Sequence, residues 1–62
     1  MTVRELFACM NTDYPRIEIV DNEYNVIWEK EAEQMIVRMP CWEREVAWIT
    51  KADVHEILLR VE

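Results

Sequence analysis

The residues that could carry chemistry are few. The single histidine lies in Asp53-Val54-His55-Glu56, which could offer a metal-ligand pair or an acid–base group. A zinc site needs three or four ligands at suitable spacing, and no HExxH or paired CxxC frames this run. A solvated turn histidine is the expectation. Cys9 or Cys41 could serve as a nucleophile with His55, but a thiolate needs a depressed pKa and a positioned base. Cys9 follows an apolar helical stripe and Cys41 lies between Pro40 and Trp42, so both are expected to be reduced, buried packing residues. Carboxylates recur at Glu29, Glu31 and Glu33 and at Glu43 and Glu45. A general acid–base pair works in a cleft whose burial splits the two pKa values. Glu43 and Glu45 instead flank Arg44 on one strand face, the pattern of solvated charge. The chain has no glycine, hence no glycine-rich phosphate loop. No catalytic, cofactor-binding or metal residue is assigned, and a protein that is not an enzyme is expected.

The signal that survives is aromatic. Trp28, Trp42 and Trp48, with Tyr14, Tyr24 and Arg44, are of the types enriched at binding hot spots, although tryptophan is also a core filler. The segment PCWEREVAWIT, residues 40–50, holds two of the three tryptophans. In a strand there, Val46 and Trp48 would share one face, and Ala47 and Ile49 the other, so both faces are apolar. A sheet with one core places polar residues opposite the buried ones. The expected interface therefore comprises Trp48 and Val46, with Arg44 beside them and Trp42 near the margin.

Size sharpens this expectation. Sixty-two residues make one domain, residues 1–62, and a domain this small buries only about 60% of the surface its unfolded chain exposes. A hydrophobic content of 52% is more than such a body can enclose, which points to burial against another molecule. Seven basic and thirteen acidic residues give a net charge of −6. That charge supplies no counterion release at nucleic acid and disfavours an anionic membrane. It suits solubility or a basic protein partner. Two widely spaced cysteines and no apolar run of membrane-spanning length point to a reducing cytoplasm.

The elements that must position these residues follow from periodicity. Thr2-Val3-Arg4-Glu5 reads as a capping box, and Val3, Leu6, Phe7 and Met10 form one stripe of a helix over 3–11, ended by Asn11 to Pro15. Arg16 to Val20 and Val26 to Glu29 read as a hairpin about a polar turn at 21–25. There Asn22 or Asn25 is expected to take the left-handed conformation. Ile17 and Ile19 share one strand face; Val26 and Trp28 share one side of the second strand, with Ile27 on the other. Ala32, Met35, Ile36 and Met39 repeat the helical spacing, predicting a second helix over 31–38 that Pro40 stops. Glu43 to Thr50 and Glu56 to Val61 read as strands around a turn at 51–55, with Ile57, Leu59 and Val61 on one face. The fold class is α+β: two short helices on one face of a small, mainly antiparallel four-stranded sheet, in the order αββαββ.

The opening MTVREL, the hairpin RIEIVDNEYNVIWE, the segment EAEQMI and the closing REVAWIT and EILLRVE resemble short phage and prophage proteins of Gram-positive hosts. Those chains open with a TVxEL helix, followed by an acidic hairpin and closing strands. The resemblance spans nearly the whole chain, which departs from it in having no glycine in the hairpin turn. It implies a class in which many small acidic viral proteins bind and block a host defence protein and some sequester a nucleotide signal. It implies no site residues. The expected function is a non-enzymatic, self-associating binding protein with a host protein as a further partner. The alternatives are an oligomeric sponge for a nucleotide-like molecule, needing Arg16, Arg38, Arg44, Lys51 and Arg60 to converge, and a structural accessory subunit.

Overall fold

A computed structural model describes residues 1–10, 15–36 and 38–62. Helix α1, Val3–Cys9, begins at the expected capping box: the Thr2 hydroxyl accepts from the Glu5 amide and the Glu5 carboxylate from the Thr2 amide. Met10 is extended and closes the helix with a bond from its N–H to the Phe7 carbonyl. The expected stop at Asn11 to Tyr14 lies outside the described residues.

Four strands follow: β1 (Arg16–Val20), β2 (Val26–Lys30), β3 (Val46–Ala52) and β4 (Glu56–Val61). The sheet order is β2-β1-β4-β3, so β1 and β4 lie at the centre and pair in parallel, while each outer pair is antiparallel. The fold is α+β, with a mixed rather than mainly antiparallel sheet. Ile17, Ile19, Ile57, Leu59 and Val61 all point to one face and are buried, as their alternation predicts. Val3 and Phe7 of α1 cover them, together with Met39 and Cys41.

The second helix expected over 31–38 is not formed: 32–34 make a turn, with Glu33 at φ 74°, and Val37 lies outside the described residues. Unlike α1, this segment has no capping box to offset the cost of nucleating so short a helix, and Lys30 at the N-cap position is a poor cap. Gln34 closes the turn instead, its side chain accepting from the Glu31 amide at 3.0 Å. Met39 and Cys41 then enter the core as separate anchors.

The strand expected from Glu43 starts only at Val46, because the backbone before it is committed elsewhere. The Arg44 and Trp42 carbonyls accept from the Val3 and Arg4 amides at 3.0 and 2.9 Å, satisfying N–H groups that a helix start leaves without partners. Residues 40–44 therefore form a turn that clamps α1 to the sheet.

Candidate protein-binding face

Four residues were expected to meet at an interface, and the structure sets them in different places. Trp42 is half-buried with its ring 6.1 Å from Phe7, part of the cover over the core. Arg44 donates from Nε and Nη2 to the Glu62 carbonyl, fastening the end of β4. Val46 lies opposite buried Val61 and packs against the core. Trp48 lies opposite Arg60, on the other face of the sheet, and is 64% exposed. Val46 and Trp48 thus do not share a face, because a bulge between them shifts the register and reverses the alternation. Val26 and Trp28 are separated in the same way. Trp28 lies opposite Ile19 on the core face, and after a register shift Val26 lies opposite Val20 on the outer face.

The outer face has two zones. At one end, Arg16 contacts Glu18 at 3.3 Å and Glu56 at 3.7 Å, and Lys51 contacts Glu56 at 2.9 Å. The other end is apolar and aromatic: Trp48, Tyr24 and Val26 are exposed around half-buried Val20 and Leu58. A shallow depression there is lined by Glu18, Val20, Tyr24, Thr50, Leu58 and Leu59.

Tyr24, rather than Asn22 or Asn25, takes the left-handed conformation in the hairpin turn, at φ 64°. The Asp21 carboxylate explains the switch. It accepts from the Asn25 and Glu23 amides at 3.0 and 2.8 Å, fixing the turn around Asn25, and these bonds, the Asn25 one foremost, hold its pKa below the usual carboxylate range. The strain at Tyr24 is offset by contact with Arg60, whose guanidinium lies 5.6 Å from the ring centroid and donates to the phenol oxygen at 3.0 Å. Tyr24, Val20, Leu58 and Arg60 complete the face that sequence reasoning had centred on Trp48. Their alternation was visible, but their meeting depends on the parallel β1–β4 pairing.

The remaining candidates are dispersed. His55 is exposed in a turn where Asp53 accepts from the His55 and Glu56 amides at 2.7 and 2.8 Å. Those two bonds, the Glu56 one foremost, depress the Asp53 pKa. Cys41 is buried and its thiol pKa is pushed up by burial. Cys9, expected to be buried, is exposed on α1 because the stripe Val3–Phe7 faces the sheet and leaves residue 9 outside it. Glu43 pairs with Arg4 at 2.9 Å and Glu45 with the N-terminal amine at 2.7 Å. Among the described residues, no three His, Cys, Asp or Glu side chains gather as a metal-ligand group. No helix there is long and apolar enough to cross a membrane.

One buried charge went unread in the sequence. Lys30 is only 5% exposed and donates to the Pro15 carbonyl and, at 3.2 Å, to the Glu31 carbonyl. Burial lowers its pKa. Its cross-strand partner Ile17 is a core residue, so the alternation of β2 carries the Lys30 stem inward while its ammonium ties two loop carbonyls together.

Comparison with known proteins finds no matching protein-family model, no matching curated protein and no matching solved structure.

Proposed function

We propose that the chain is a non-enzymatic binding protein that associates with itself and acts by occupying a protein surface. Of the classes considered, a phage-type inhibitor of a host defence protein in the bacterial cytoplasm fits best. One observation carries this reading: one sheet face is closed by the chain's own side chains, while the other leaves Trp48, Tyr24 and Val26 in solvent around Val20 and Leu58. Exposed aromatic and apolar side chains gathered on one sheet face, here with Arg60 between Val20 and Trp48, favour an interaction surface. Its tryptophan, tyrosine and arginine are the residue types that dominate interface energetics.

The nucleotide-sponge alternative has less support within one copy. Arg16 and Lys51 are engaged by the chain's own carboxylates, Arg44 by the Glu62 carbonyl and Arg60 by Tyr24. With net charge −6, a basic protein is a better partner than nucleic acid.

The test is paired capture from host lysate with the wild type and Trp48→Glu, both shown to be folded by circular dichroism. A protein retained by the wild type and lost with Trp48→Glu supports the reading. A partner held equally by both chains places binding elsewhere. Calorimetry with a nucleotide panel completes the test, since saturable binding there would move the assignment to the sponge.

A further inference from the structure

Resting on the reading of the outer face as a binding surface, we propose that in the free protein its occupant is a second copy of this chain. The two sheets pack face to face about a two-fold axis that runs along the strands. The argument is one of charge position. The outward strand positions carry Arg16, Lys51 and Arg60 against Glu18, Glu29 and Glu56, with Glu31 4.0 Å from Arg16 and Asp53 3.7 Å from Lys51, so charges of both signs stand on the face of a chain of net charge −6. Opposite charges set against each other offset part of the repulsion that the whole molecules would feel.

The strand order decides the arrangement. A two-fold axis along the strands keeps each residue at its height and exchanges sides, so β2 lies over β3 of the other copy and β1 over its β4. At mid-height Glu29 on β2 then faces Lys51 on the other copy's β3, because Glu29 is level with Glu18, Glu18 with Leu58, and Leu58 with Lys51. At the lower end Arg16 faces Glu56, which are level with each other within one sheet. At the upper end exposed Val26 faces Trp48, through the matched positions of Val20 and Arg60. An axis across the strands would instead set Glu29 near Glu29, Glu18 near Glu18 and Lys51 near Lys51. Like charges facing each other disfavour that alternative.

Edge-to-edge pairing is a weaker route. The β3 edge has two register shifts within seven residues, and the Met1 carbonyl already accepts from the Val46 amide there. Bulges and a lysine are devices that keep sheet edges apart. The β2 edge is flanked by Asp21, Glu23, Glu29, Glu31 and Glu33, which would repel a copy of itself. The face spans four strands of about five residues, about 19 by 17 Å at ordinary strand spacing. A patch of that size is about 320 Å² on each copy and about 650 Å² on both, below the range of stable specific interfaces, so a weak, readily reversible dimer populated only toward high micromolar concentration is expected.

Sedimentation over a concentration series up to about 100 µM, with circular dichroism on each variant, tests the arrangement. A reversible dimer is expected for the wild type and a folded monomer for Trp48→Glu. Glu29→Lys and Lys51→Glu should each weaken the dimer about tenfold, and the double variant should recover most of that loss. Both lie at exposed positions, so the charge variants keep the test open if Trp48→Glu fails to fold. A monomeric wild type at about 100 µM overturns the second-copy proposal. The binding-face reading then stands or falls separately on the capture experiment. A dimer that survives Trp48→Glu overturns the second-copy proposal for this face. Single reversals that are not rescued by the double variant overturn the strand-aligned arrangement.

Discussion

The two faces of the sheet are made from alternate residues of the same strands, and they meet opposite fates. On the inner face Ile17, Ile19, Leu59 and Val61 are almost wholly removed from water beneath Val3, Phe7, Met39 and Cys41. Burial of each such side chain contributes about 1.5–3 kcal/mol. On the outer face comparable apolar surface stays in solvent at Trp48 and Tyr24, and the charged end is bridged by Arg16 and Lys51. Among the described residues, the seven-residue helix α1 with Met39 and Cys41 covers the inner face. Stability therefore resides on the inner face, and the outer one is where we propose association.

The largest effect should come from opening the inner face. Leu59→Ala is expected to lose about 2–5 kcal/mol, enough to unfold much of a domain this small, whereas Trp48→Glu should change stability by no more than about 0.5 kcal/mol. Urea denaturation at low protein concentration measures both. Similar losses in the two variants would mean that the faces are not divided in this way.

A smaller effect is expected at the edge of the inner cover. Thr2→Ala removes the acceptor for the Glu5 amide and should cost about 1 kcal/mol, lowering the melting temperature without altering outer-face association. Loss of association in a folded Thr2→Ala chain would show that the two faces are coupled through α1.

The smallest effect is that of acid. Hydrogen bonds from backbone amides hold the carboxyls of Glu5, Asp21 and Asp53 below their ordinary values in the folded chain. Their contribution is fully present above the unfolded values and is lost as pH falls through the folded ones. Stability should therefore decline below about pH 4.5. Because all three groups sit in caps and turns, far-ultraviolet signal from the hairpin ends should change before tryptophan fluorescence reports the core. Simultaneous loss of both signals would count against this order.

Much of the fold was legible from local pattern. The capping box, the hairpin strands Arg16–Val20 and Val26 to Glu29 (one residue short of the observed end at Lys30), and the face shared by Ile57, Leu59 and Val61 follow from spacings of a few residues. The misreadings came where tertiary contacts overruled such spacing. Ala32, Met35, Ile36 and Met39 have helical period, yet only Met39 is deeply buried, and a Gln34 side-chain bond closes a turn instead. The bulge that turns Trp48 away from Val46 has no marker in a chain without glycine. At the candidate face Trp48 was readable as a type, while Tyr24, Val20, Leu58 and Arg60 are joined by a pairing between segments far apart in sequence.

That same pairing bears on how the chain acquires its structure. Each outer strand forms a hairpin with its neighbour, β1 with β2 and β3 with β4, but an isolated hairpin is at best marginal in water. The seam joining the halves sets Ile17 beside Ile57, forty positions along the chain. Contacts of such separation must overcome loop-closure entropy before they return any stability, which slows folding and leaves no stable partial sheet on the way. Until β4 has docked against β1, the chain has neither a core to protect nor an outer face to present, so the proposed binding face is formed in the same event as the fold.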